Sequence, residues 1–138
     1  MKIKSINNEV VTLLTNDKNK YLSFTNFIFF GRRGSFTCKV NISSRGFKYE
    51  KEVCFDNMST FIENIEKMSS TLLGETELNK EFSENFIKFS LNKNGRVIVS
   101  ASFVEYSDHS QNIFIEFESD QTCLAPLAKE LRKVVNYS

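Results

Sequence analysis

The chain has 138 residues, 41% apolar and 25% charged, with a net charge of +1 from 18 basic and 17 acidic side chains. This length fits one domain spanning residues 1–138, able to bury about two thirds of its unfolded surface without a metal or disulfide. The near-neutral charge gives no electrostatic reason to expect nucleic acid or an anionic membrane as partner, and no apolar run approaches the ~20 residues of a membrane span.

Phenylalanine is abundant, with 14 copies, and tryptophan is absent, so the core is expected to be built from phenyl rings. The opening residues MKIKSINNEV have no hydrophobic stretch behind their lysines, and no signal peptide is expected. Cys38, Cys54 and Cys123 are odd in number and widely spaced. They read as reduced, buried thiols of a cytoplasmic protein.

Residues 2–6 and 9–15 read as short β segments around the turn-prone Asn7-Asn8. Residues 21–30, YLSFTNFIFF, suit a strand. Strict alternation there puts Phe27 and Phe29 on one face and Phe24, Ile28 and Phe30 on the other. Such a strand is either buried on both sides or exposes an apolar patch to a partner, and burial is the preferred reading. GRRG at 31–34 is a turn whose Arg32 and Arg33 are candidate partner-binding residues. From 35 to 43, Phe36, Cys38, Val40 and Ile42 alternate with polar residues, the period of a half-buried strand. Ser44-Arg45-Gly46 turns the chain. Residues 47–55 then place Phe47, Tyr49, Val53 and Phe55 on one face, interrupted by Lys51, which suggests an edge position.

The period changes at Asp56. Met58, Phe61, Ile62, Ile65, Met68 and Leu72 form one helical stripe, with Asp56 or Asn57 able to cap its start and Gly74 its end. Glu63 and Lys67 lie four apart on its wet face. After a polar stretch, strands resume at 85–91. Asn94-Gly95 marks a hairpin into 96–106, where Val97, Val99, Ala101 and Phe103 share a side. Residues 107–112 turn the chain, and Ile113, Ile115 and Phe117 alternate with Phe114 and Glu116. A last helical stripe holds Leu124, Leu127, Ala128, Leu131, Val134 and Val135. The expected architecture is α+β: a single antiparallel sheet of about six strands with two helices packed on one face.

No residue pattern announces catalysis. His109, the single histidine, sits in SDHSQ, and a polar hairpin turn accounts for it. HxxxH, CxxC and acidic calcium-loop patterns are absent, and GRRG lacks the Gly-Lys-Ser/Thr of a phosphate loop; no metal or cofactor is expected. The carboxylate pairs Glu50/Glu52, Glu75/Glu77 and Glu116/Glu118 are each two apart in candidate strands and so face outward together. Asp120-Gln121-Thr122, followed by Cys123, places acid, amide, hydroxyl and thiol in a row. A strand-to-helix joint explains it: Asp120 or Thr122 caps the helix, Gln121 ties the joint to a neighbouring loop, and Cys123 begins the buried side. An exposed Cys123 at a helix start would reopen catalysis, because that position lowers a thiol pKa.

RVIVSASF, a polar turn and NIFIEFESDQTCLAPLAKELRKV resemble the ending of WapI-family bacterial immunity proteins. FIENIEKMSSTLLGETEL is similar to the family's central helix ending at Leu-x-Gly, LNKNGRVIV to its glycine-turn hairpin and FFGRRGSFTCKV to its early strand. The resemblance spans residues 21–135, and Asp120-Gln121-Thr122 is its distinctive marker. Cys123 departs from it, standing where an aromatic is expected, and the first twenty residues match nothing in it.

The resemblance implies a small cytoplasmic antitoxin that binds the C-terminal toxin domain of a polymorphic or contact-dependent secreted toxin. It implies inhibition by steric occlusion, with no reaction catalysed. Inhibitors of basic nucleases are often acidic, and this chain is not acidic overall, but a local face carrying Glu116 and Glu118 would serve. These two join Arg32 and Arg33 as candidate partner-binding residues. The alternatives are a small ligand-binding or structural module using the phenylalanine-rich segment 24–36, and an enzyme with His109 or Cys123 in a deep pocket.

Overall fold

The computed structural model describes residues 5–7, 9–30, 34–105 and 111–136. Two antiparallel sheets, not one, are present. In the first, β1 (Ser5–Asn7) and β2 (Val11–Thr12) pair in succession with the same edge of β3 (Lys20–Phe30), and β4 (Ser35–Ser44) and β5 (Phe47–Phe55) follow on its other side. The second is a meander of β6 (Glu75–Leu78), β7 (Phe86–Leu91), β8 (Arg96–Glu105) and β9 (Gln111–Asp120). Helix α1 (Met58–Thr71) connects the sheets. A 3₁₀ turn at Gln121–Cys123 leads into α2 (Leu124–Asn136).

The single sheet expected from sequence fails at the α1 crossover. β6 emerges from it paired only with β7, which leaves β5 as an edge of its own sheet. The edge position read from Lys51 is found there. Instead of joining edge to edge, the sheets turn their inner faces toward each other at this end. Tyr49 stacks on Phe103 with ring centroids 5.4 Å apart, and Lys51 forms an ion pair with Glu105. Both inner faces and both helices share one hydrophobic core. Phe61 of α1 meets Phe89 of β7 edge-on at 5.6 Å.

The phenylalanine-rich strand corrects a second expectation. Register slips by one residue between Thr25 and Ile28, and Asn26 occupies the bulge with a φ of 55°. A bulge with its first residue left-handed inserts one residue and reverses the alternation beyond it; asparagine accepts that conformation better than most residues. Phe24, Phe27 and Phe29 therefore all face the core, while Ile28 and Phe30 are half-buried on the other side. Phe27, Phe29, Phe36 and Phe55 form a chain of ring contacts with centroids 5.6–6.1 Å apart. The four rings are buried, so an exposed apolar surface built on them has no basis.

The helix ends also differ in detail. Asn57 occupies the cap position of α1, but its side chain makes no cap bond. Its amide donates to the Glu77 carbonyl at 2.8 Å and accepts from the Asn79 N–H at 2.9 Å, while the Asp56 N–H donates to the Asn79 carbonyl at 3.0 Å. The residues read as a cap thus clamp the helix start to β6, the candidate strand of Glu75 and Glu77, whose Thr76 and Leu78 face inward. α1 closes earlier than Gly74, with Leu72 left-handed at φ 58° and its N–H on the Met68 carbonyl at 2.8 Å. Leu72 leaves the buried stripe and is 43% exposed. Phe47, placed by alternation on the inner face, is 73% exposed; it sits at the last β4–β5 pair, opposite Ser44, beside the turn.

Replacing Asn26 with glycine is expected to preserve stability, whereas Asn26→Val should cost about 1–2 kcal/mol because a β-branched residue is forced left-handed. Urea unfolding of the two variants checks this; equal midpoints would contradict the bulge.

Candidate protein-interaction face

Both helices lie on the inner side of the second sheet, which leaves its outer face uncovered by any other described element. On β8 the residues Val97, Val99, Ala101 and Phe103 point inward, so Arg96, Ile98, Ser100, Ser102 and Val104 point out. Strand register extends these positions into rows. One row runs Glu77, Lys88, Ser100, Glu116; the next runs Glu75, Ser90, Ile98, Glu118; a third runs Phe86, Ser102, Phe114. Arg96 and Asp120 are opposed at one end. The centre is small and uncharged, and the margins carry carboxylates. Five acids (Glu75, Glu77, Glu116, Glu118, Asp120) against two bases (Lys88, Arg96) leave this face at −3 in a chain of net charge +1.

Some of this charge is paired. Lys88 lies 2.6 Å from Glu75, and Glu75 and Glu77 hold its ammonium above its usual pKa. Arg96 Nε donates to Glu118 at 2.9 Å, and its Nη1 lies 3.5 Å from Asp120. Glu116 has no ion-pair partner among the described residues. Exposed pairs of this kind contribute little to stability, so they can exchange partners on binding. Along the free edge of β9, a cleft lies between that strand and the β4–β5 turn, lined by Arg45, Phe47, Ile113, Phe114 and Glu116. Phe114 is 57% exposed. Lys20 Nζ spans from the first sheet to the Glu118 carbonyl at 2.7 Å and fixes the edge in place.

Glu116 and Glu118, singled out from sequence, therefore stand together and point outward, with Glu75 and Glu77 on the same sheet face. Arg32, Arg33 and His109 lie outside the described residues. Asp120, Phe86, Phe114 and Ile98 were not read as members of this face. Their alternation is visible in the sequence, but only strand register places them side by side.

At the strand-to-helix joint, the Asp120 carboxylate accepts the Thr122 N–H at 2.9 Å, and this bond, with a smaller contribution from Arg96, holds its pKa below the usual value. Gln121 packs on the hairpin turn: a Cβ added to Gly95, which has a φ of 74°, would come within 3.0 Å of Gln121 Oε1. Cys123 is buried, and burial pushes its thiol up to about 11 despite its place at a helix start, with the buried Ser119 hydroxyl acting in the opposite direction. Burial also raises the thiols of Cys38 and Cys54, although Cys54, expected to be buried, is only half-buried on the edge strand β5. Among the described residues, no group of three or more His, Cys, Asp or Glu side chains is placed to hold a metal ion. A raised pKa keeps a thiol protonated, and so unreactive, at pH 8. Ellman's reagent at pH 8 should therefore label Cys38 and Cys123 only after unfolding; rapid labelling of Cys123 in the folded chain would contradict the buried joint.

The family model of the immunity protein WapI-like family matches residues 14–137, from the residues before β3 through α2. No curated protein and no solved structure matches the chain. The matched span contains the whole second sheet, both helices and the Asp120-Gln121-Thr122 joint, and the chain belongs to the WapI-like immunity protein family.

Proposed function

We propose that the chain is a bacterial immunity protein that binds the C-terminal toxin domain of a secreted polymorphic or contact-dependent inhibition toxin and neutralises it by occlusion. The observation that carries this reading is an uncovered, acid-rimmed sheet face in a chain of an immunity family. β8 and β9, with 10 residues each, run some 30 Å side by side about 4.8 Å apart, and the shorter β7 and β6, with 6 and 4 residues, widen the face to roughly 15 Å along part of that length. The β9 edge and its cleft extend it toward the ~800 Å² per partner of a stable complex.

The chemistry of the face selects its partner. Serine hydroxyls at the centre let another backbone or a flat apolar surface approach closely. The carboxylate margin accepts hydrogen bonds from arginine and lysine, so the complementary toxin surface is basic. Such charge pairing speeds encounter and rejects acidic partners more than it adds affinity. Occlusion needs no cofactor and no bond chemistry. The bacterial cytoplasm is the proposed compartment. No helix among the described residues is long and apolar enough to cross a membrane.

The gene immediately upstream is expected to encode a large secreted protein with a toxic C-terminal domain, and that domain to co-purify with the chain and to lose its toxicity when the two are co-expressed. Glu116→Lys, which breaks no ion pair of the described residues, should slow association about tenfold at low salt while leaving the melting temperature unchanged. Absence of any complex with the wild-type chain would refute the proposal.

A further inference from the structure

The loop of residues 79–85 between β6 and β7, NKEFSEN, is polar throughout except for Phe82. The Phe82 ring is 100% exposed, and its backbone is left-handed at φ 65°. That conformation crowds the Cβ of a bulky residue, and glycine or asparagine adopts it at far smaller cost. Backbone outliers of this kind cluster at functional sites, where surrounding structure holds them in place.

The loop is held on both sides of the ring. Before it, the Glu81 N–H donates to Asp56 Oδ2 at 3.3 Å, and Asn79 is bonded through both its N–H and its carbonyl to the start of α1. After it, the Ser83 N–H donates to the Lys80 carbonyl at 3.0 Å and the Asn85 N–H to Ser83 Oγ at 3.1 Å. The Asn85 side-chain oxygen then accepts the Val104 N–H from β8 at 2.8 Å. A clamped turn thus presents a ring that no internal packing uses. A shallow cleft beside it is lined by Glu77, Lys80, Glu81 and Glu84, which together carry −2. The chain continues directly into Phe86, the first member of the Phe86, Ser102, Phe114 row on the outer sheet face.

We infer that Phe82 is an anchor that enters an apolar pocket with a basic rim on the cognate toxin domain. This rests on the reading of the chain as a toxin-binding protein. A phenyl ring has two side-chain torsions and loses little freedom when it docks, and a clamped loop removes much of the remaining ordering cost. Aromatic anchors of this type carry a disproportionate share of binding energy. The flanking carboxylates require cations around the receiving pocket.

Binding of the C-terminal domain of the upstream-encoded toxin to wild type, Phe82→Gly, Phe82→Tyr and Glu116→Lys tests the anchor, with melting temperatures measured in parallel. Phe82→Gly relieves the positive φ and removes no buried surface. Its melting temperature should be unchanged or higher, while its Kd rises about tenfold or more through faster dissociation. Phe82→Tyr should retain most of the affinity. Wild-type Kd for Phe82→Gly, with Glu116→Lys still weakened, would overturn the anchor and leave the toxin-binding reading standing. No binding by the wild-type chain would overturn both.

Discussion

The extra residue at Asn26 decides which side of β3 faces the core. Without it, Phe27 and Phe29 would point away from Phe24, and the first sheet would need covering on both faces. With it, the chain of rings from Phe27 and Phe29 through Phe36 to Phe55 lies on one side, with Phe24 on that same side. The second sheet reaches the same one-sidedness by plain alternation. Two one-sided sheets and two amphipathic helices can then close around one core, which leaves the outer face of the second sheet uncovered by any other described element.

Those two faces are not equivalent. The outer side of the first sheet carries Thr37, Lys39, Asn41, Glu50 and Glu52 along β4 and β5, a stretch of mixed sign with Lys39 paired to Glu50 at 2.9 Å, and Tyr21, Ile28 and Phe30 along β3. The outer side of the second has small and apolar residues along β8 and carboxylates at its margins. The total charge of +1 hides this division. A near-neutral chain gives no long-range reason to expect a basic partner, yet within a Debye length of about 8 Å the local excess of carboxylates is what an approaching surface meets.

Much of the fold was legible in the sequence. Alternation in 35–43, 96–103 and 113–117, the turns at Arg45-Gly46 and Asn94-Gly95, and the stripes beginning at Met58 and Leu124 all correspond to observed elements. What escaped needed long-range information. Nothing local marks Asn26 as a bulge, because FTNFIFF reads equally well as an unbroken strand. β6 is marked in the sequence only by the Glu75/Glu77 pair, because with just Thr76 and Leu78 facing inward its bounds do not stand out from polar loop. The count of sheets depended on whether β5 would pair across a helix, a choice made by packing at Tyr49 and Phe103. The candidate site was half visible: Glu116 and Glu118 follow from alternation, but their neighbours Lys88, Ser100 and Ile98 follow only from register.

The acid-rimmed outer face of the second sheet, with the loop at its end, is the surface proposed to meet the toxin domain. Hydrogen–deuterium exchange of the chain alone and in complex with that domain tests it most directly. Exchange should slow across residues 79–86 and along the β9 edge at 111–118, with β4 and α2 unchanged. Protection confined to the first sheet or to α2, with 79–86 and 111–118 exchanging as in the free chain, would contradict it.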